Sequence, residues 1–236
     1  MSEPEKTGAL DQEILGRRTD PSSKLGPLAD AAYDTLLSEL MSLRMPPGSR
    51  VTIDALTRRL GVSQTPIRDA LSRLETEGLV VRTHLAGYRV APQLTKDRFE
   101  QLVEFRLLVE PAAARRAAEN MSARELAALR DLAESMAVPP AGDRHLAYGL
   151  FARRDAAFHG TIAAGSGNQI IHDSLARLHT HVHLFRLLYD AHVTDEAIIE
   201  HNDVVSGIAS RDPDAAAFGM RRHILRSADR FRAIFE

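Results

Sequence analysis

The sequence predicts a mainly α-helical protein in two parts: an N-terminal winged helix-turn-helix (three helices plus a β-hairpin), then an all-α antiparallel bundle of six or seven helices. Three observations lead there. The 44% apolar content is carried largely by Ala and Leu, both strong helix formers. Apolar residues recur every three or four positions over most of the chain. Only after Gly78 does the pattern change to two short β-branched runs around a turn.

Composition narrows the chemistry. There are 236 residues, with Lys+Arg 30 against Asp+Glu 32 and no cysteine. That excludes a disulfide framework, an iron–sulfur cluster, a Cys-ligated zinc finger and a cysteine nucleophile, so any metal must be held by His and carboxylate. The N-terminus is polar, and no apolar run approaches the roughly 20 residues of a membrane span. The expectation is a cytoplasmic protein with no membrane partner.

Residues 1–24 mix charges with Pro, Gly and Ser and read as a flexible tail. Residues 25–92 read as the winged head and 93–236 as the helical domain. Leu28, Ala32, Leu36 and Leu40 predict the first helix, which the MPPG stretch at 45–48 ends. Val51, Ile53, Leu56 and Leu60 predict a second, opened by Thr52 and closed by Gly61. Ser63 can cap the third, in which Ile67, Ala70, Leu71 and Leu74 form the inward stripe and Pro66 sits in the first turn. The strands LVVRT (79–83) and YRVA (88–91) flank His84 and Gly87. The later helices are expected near 96–120, 123–137, 143–164, 169–190, 195–210 and 214–235, with Ser122 and Glu125 as a capping box and a kink at Pro111.

With the stripe inward, Thr65, Arg68, Asp69 and Ser72 turn outward, behind Ser63 and Gln64 at the helix start. That is how a helix entering the major groove is dressed: hydroxyls and amides meet phosphate, and Arg engages guanine in a bidentate pair. Seven arginines (50, 58, 59, 68, 73, 82, 89) oppose four acids (54, 69, 75, 77) over this segment of a net-acidic chain. Gln64 can read adenine and His84 can reach a phosphate or the minor groove, while Arg73 either faces DNA or pairs with Glu77 at i+4. Packing or protein contact is the competing use of such a head.

In the helical part, Asp155 and His159 share a helix face at i, i+4. The midpoint between His201 and His223 is Asp212, inside the helix-breaking RDPD stretch, so an antiparallel hairpin sets the two imidazoles level. One carboxylate and three imidazoles suit Zn²⁺, with Ni²⁺ or Mn²⁺ as alternatives, and leave positions open for a ligand. Each of the four can instead be a packing or surface residue. His179, His181 and His183 form a rival cluster and read as pocket or surface residues. Arg106 either pairs with Glu110 one turn on or salt-bridges an anionic effector. A metal-dependent hydrolase-like enzyme and a metal-free structural DNA-binding dimer are the competing functions; no Glu-x-x-His pair supports a di-iron bundle.

The stretches RMPPGSRV (44–51), LTRRLGVSQTPIRDALSRLETEGLV (56–80) and GYRV (87–90) resemble the winged-helix motif of the GntR family of bacterial transcription regulators over residues 33–91. The resemblance places Ser63, Gln64, Thr65 and Arg68 at DNA-contacting positions and His84 with Gly87 on the wing. Gln64 stands where Arg is common, and Asp54 where Glu is usual. EFRLLVEPAAA (104–114), DAAFH (155–159), GSGN (165–168), EH (200–201) and MRRH (220–223) are similar to the effector-binding FCD domain of the FadR subfamily over about residues 96–235. By resemblance Asp155, His159, His201 and His223 match metal ligands, Arg106 and Asn168 fall on the effector side, and the effector is a small carboxylate-type metabolite. The resemblance implies a repressor, not an enzyme, that binds double-stranded operator DNA as a homodimer.

Overall fold

The protein is described from a computed structural model covering residues 21–83, 87–138, 142–189 and 191–236. Residues 1–20 of the expected tail and His84 on the wing lie outside the described residues.

The head opens with α1 (Pro21–Met41), which starts earlier than the apolar spacing from Leu28 suggests and carries Pro27 within it. Strand β1 (Arg50–Val51) follows. Next comes α2 (Ile53–Leu60), capped by Thr52, whose hydroxyl accepts from the Ala55 amide at 3.4 Å, and closed by Gly61 at φ 68°. The stripe on α3 (Gln64–Thr76) is as expected: Ile67, Ala70, Leu71 and Leu74 are all 0% exposed. Ser63 occupies the cap position, but its side chain makes no capping hydrogen bond, which corrects its expected role. Strands β2 (Val80–Thr83) and β3 (Gly87–Val90) pair antiparallel, with Val80 opposite Val90. Val51, expected in the second helix, instead pairs with Tyr88, so the hairpin becomes a three-stranded sheet of order β1-β3-β2. Burial of Val51 and Tyr88 on one face drives that pairing.

Among the described residues the helical domain holds seven helices. α4 (Lys96–Asn120) runs unbroken through Pro111. α5 (Ala123–Met136) starts at the expected capping box, and α6 (Arg144–Gly165) follows. The single helix expected over 169–190 is two, α7 (Gln169–Leu178) and α8 (Thr180–Phe185), because His179 takes a left-handed backbone at φ 44°. α9 (Ala191–Ala209) and α10 (Pro213–Arg232) form the expected antiparallel hairpin, with Asp212 capping α10. A Cβ on Gly207 would lie 2.5 Å from the Ala216 backbone nitrogen, so glycine is what lets α9 close onto α10.

Two contacts seat the head on the bundle. α1 packs between α3 and α6, where a Cβ on Gly149 would come 2.7 Å from the Ser38 Cα and Arg153 pairs with Asp34. On α1, Tyr33 donates to Glu77 at 2.8 Å, and the Arg73 guanidinium lies 4.0 Å above its ring. Arg73 pairs with Asp30 at 2.7 Å rather than with Glu77, so its role is to bind α3 to α1. In the second contact, buried Arg186, just after α8, donates to the Ala91 carbonyl at 2.6 Å, and Gln93 donates to the Arg186 carbonyl. Among the described residues no helix is long and apolar enough to cross a membrane.

Candidate functional site

The side of the head that the sequence expects to face DNA is the outer face of α3. Ser63, Gln64, Thr65, Arg68, Asp69 and Ser72 are exposed there, and Gly87 is exposed on the wing. Gln64 is held at both ends: its amide donates to Asp54 on α2 at 3.2 Å, and its carbonyl accepts from Arg68 at 3.2 Å. Its side chain therefore orients Arg68, and adenine can be read only if those bonds break. Gln64 and Asp54, the two positions that depart from the motif it resembles, are partners.

The second site lies inside the bundle. Asp155 and His159 on α6, His201 on α9 and His223 on α10 are all buried, and one ligand atom from each lies within 4.8 Å of the others. The sequence spacing thus brings together the four residues it singled out. Their surroundings fix which atoms face inward. The His159 Nδ1 lies 2.5 Å from the Glu110 carboxylate and the His223 Nδ1 2.9 Å from that of Glu200. A carboxylate only accepts, so both Nδ1 atoms carry the proton and both Nε2 atoms keep their lone pairs. The His159 Nε2 is buried with no hydrogen-bond partner. So are both ring nitrogens of His201, whose Nε2 lies 3.3 Å from the Asp155 Oδ1 without hydrogen-bond geometry.

Each outer carboxylate is itself charge-paired. Arg106 pairs with Glu110 at 2.5 Å, both 2% exposed, so of its two expected roles the structure shows the helix-turn pair. Arg230 donates to Glu200 at 2.8 and 2.9 Å. Burial opposes ionisation of Glu110, but Arg106 and His159 outweigh it and hold the carboxyl well below the usual range. Burial likewise opposes ionisation of Glu200, and Arg230 with His223 brings its pKa down to about 2. Burial pushes His223 down to about 4 against the pull of Glu200, and it also carries His159 well below the usual imidazole value. Asp155 is held ionised, despite burial, by His181 and His201. Neutral imidazoles facing an ionised carboxylate are the protonation state a cation needs.

Residues outside the expected ligand set complete the site. The His181 Nδ1 donates to the Asp155 Oδ2 at 2.8 Å, which turns Oδ1 toward the cluster. Of the rival histidines only His181 reaches this region; His179 breaks the helix, and His183 faces the head, its Nε2 3.4 Å from where a Cβ on Gly78 would sit. Glu110, His159 and His181 also converge. Their nitrogens and carboxylate are already engaged with Arg106, with Asp155 and with one another, so the four-residue set is the better ligand shell. Asn168 is placed elsewhere, capping α7 by accepting from the Ile170 and Ile171 amides at 3.1 and 3.3 Å. A signal for Glu200 did exist, in its adjacency to His201; His181 stood in the His179–His183 cluster, read as pocket or surface residues, and reaches Asp155 from beyond the break at His179.

Comparison with known proteins shows the family. The family "Bacterial regulatory proteins, gntR family" matches residues 28–90, and the FCD domain matches residues 101–226. A probable D-xylose utilization operon transcriptional repressor of Paenarthrobacter nicotinovorans is 27% identical over 199 residues, covering 84% of this chain and 85% of the relative. The HTH-type transcriptional repressor GlaR of Escherichia coli is 25% identical, covering 82% and 90%. In fold the chain is similar to E. coli McbR/YncC, with TM-score 0.64 and 20% identity over 89% of this chain and 99% of that one. The chain belongs to the gntR family of bacterial regulatory proteins: it is a DNA-binding transcriptional regulator, not an enzyme, with an FCD domain behind its winged helix.

Proposed function

We propose that this regulator is a metabolite-responsive cytoplasmic repressor whose helical domain holds one divalent transition metal through Asp155, His159, His201 and His223. Zn²⁺ is the first choice, with Ni²⁺ and Mn²⁺ as the alternatives. The observation that carries the reading is the set of buried, unpartnered imidazole nitrogens, the His159 Nε2 and both nitrogens of His201, in a cluster that includes the ionised Asp155. Orphaned polar atoms in a core cost about 1–3 kcal/mol each, and a cation removes that cost. The outer pairs Glu110–His159 and Glu200–His223 are what a metal-bound histidine requires to fix its tautomer. When bound, the metal supplies open coordination positions for the carboxylate of a small organic acid, the effector class proposed here.

The repressor acts as a homodimer on double-stranded operator DNA, because paired heads double the phosphate contacts and match two half-sites. Ser63, Thr65 and Arg68 take phosphate and base edges, Gln64 orients Arg68, and Gly87 and His84 are the further contacts proposed to DNA. The relatives named as repressors support the sign of regulation. The effector works by favouring one arrangement of head and bundle over the other.

Elemental analysis of freshly purified protein tests the metal. About one transition metal per chain, lost in both Asp155→Ala and His201→Ala, is expected. No metal on purification and none on supplying Zn²⁺, Ni²⁺ or Mn²⁺ refutes the site and leaves the histidines as cavity lining.

A further inference from the structure

Next to the buried histidines the bundle holds a cavity of about 220 Å³, walled by α5, α6 and α9. Its place follows from helix spacing. The wall residue Phe151 stands one turn before Asp155 on α6, and Ile198 one turn before His201 on α9. Cavity and cluster are therefore offset by about 5 Å along both helices, in neighbouring layers of one core. The walls are apolar and largely aromatic: Tyr148, Phe151 and Tyr189, with Met136, Ala147 and Ile198. Tyr148 meets Tyr189 edge to face, with ring centroids 4.9 Å apart, an arrangement that a further ring can extend. The Tyr148 hydroxyl is spent on the carbonyls of Phe185 and Leu188, so this residue offers the cavity ring surface rather than a donor. Charged groups stand at the rim instead, where Arg144 and Asp195 are exposed.

Size and chemistry identify the occupant. About 150 Å³ of apolar space suffices for a benzene ring, so this cavity takes one ring with a short arm and is too small for a fused-ring system. A hydroxylated body, such as that of a sugar acid, would give up water against these walls with too few hydrogen bonds in return. A ring lying one helix turn from a metal with open positions matches a carboxylate carried one to three bonds from that ring.

We infer that this cavity receives the body of the effector, and that the effector is a single-ring aromatic carboxylic acid, its ring among Tyr148, Phe151 and Tyr189 and its carboxylate on the metal. This rests on the metal reading above and narrows its effector class. Tyr148 and Phe151 flank Gly149, which lies against Ser38 of α1, so a ring held there bears on the segment of α6 that seats the head. Isothermal titration calorimetry of the full metal-loaded chain with phenylacetate, acetate and gluconate tests it, with metal content and helical circular dichroism as controls for folding. Phenylacetate should bind at least about tenfold more tightly than acetate, because the two share the carboxylate and differ by the ring. Gluconate should gain nothing over acetate. Ala147→Phe fills the cavity from its wall and should bring the phenylacetate-to-acetate affinity ratio close to one; Ile198→Phe, from the opposite helix, should do the same. A metal-loaded chain that binds phenylacetate no better than acetate, that prefers gluconate, or whose ratio survives both filling variants overturns the aromatic class and leaves the metal centre intact. A metal-free chain that still binds phenylacetate overturns the link between carboxylate and metal and keeps the ring site. A chain that takes up neither metal nor phenylacetate overturns both readings.

Discussion

Glu200→Gln isolates what an outer carboxylate does for the proposed metal centre. Glu200 is 3% exposed, accepts from the His223 Nδ1 at 2.9 Å and takes two hydrogen bonds from Arg230. Gln keeps the shape, and its carbonyl still accepts from Nδ1, so the tautomer and ring orientation of His223 survive. What goes is the negative charge, which makes the imidazole a better donor and balances Arg230. Losing such a partner lowers metal affinity by about 10- to 100-fold, or about 1.4–2.7 kcal/mol. Arg230 retains Glu196 at 2.9 Å, so the variant should fold with a lowered Tm instead of collapsing. Competition against a chelating dye gives the affinity, and circular dichroism melts give the stability. A variant that folds and binds within twofold of wild type refutes the role of Glu200. Complete loss of metal would make Glu200 a ligand itself and the four-residue shell wrong.

Other outcomes follow from single contacts. Arg68→Ala should weaken binding to selected operator DNA by about 1–3 kcal/mol in fluorescence anisotropy, with Tm and metal content unchanged; unaltered affinity would remove Arg68 from the interface. Gly207→Ala forces a Cβ to within 2.5 Å of the Ala216 nitrogen and should cost about 1–3 kcal/mol by opening the α9–α10 hairpin; a melt at the wild-type temperature contradicts that packing. Burial, aided by Arg186 and His179, lowers His183 to a pKa of about 4. The unfolded chain takes up that proton near pH 6.5. The stability the neutral His183 contributes is therefore complete above about pH 6.5 and is lost as pH falls toward 4. His183→Gln should melt with a shallower pH dependence across that window, and parallel curves would show that His183 does not titrate there.

How much of this was legible follows from the range over which each residue acts. The Ile67, Ala70, Leu71 and Leu74 stripe is a local period, and all four are 0% exposed. Asp155 with His159 is one helix turn, and His201 with His223 needs only a hairpin whose turn is marked by Pro213 and Asp212, so the convergence of these four residues was readable. β1 was not: two residues carry no period, and Val51 joins the sheet only because β3 arrives from far along the chain. The left-handed His179 has no Gly or Pro to announce it. The contact of His181 with Asp155 was unreadable for the same reason, since it follows from that break. Arg106 shows the limit from the other side, because one helix turn suggested its partner Glu110 and only burial of both could decide between that partner and a ligand.

The proposed coupling between effector and DNA then has a physical route that does not pass through the connector alone. α6 supplies Asp155 and His159 on its inner face, while Gly149 and Arg153 on its outer side grip α1 at Ser38 and Asp34. α1 in turn holds the recognition helix through Tyr33 with Glu77 and Arg73 with Asp30. α8 touches Asp155 through His181, and Arg186 just beyond it fastens Ala91 and Gln93 at the base of the wing. The helix that carries Asp155 and α8, which contacts it through His181, thus also belong to the two seats of the head. A ligand that repositions this carboxylate acts on both seats together, and close-packed contacts such as Gly149 on Ser38 leave little room to absorb a small shift. With two seats sharing one origin, the head moves as a body or not at all, which is the kind of two-state element a differential ligand affinity can bias.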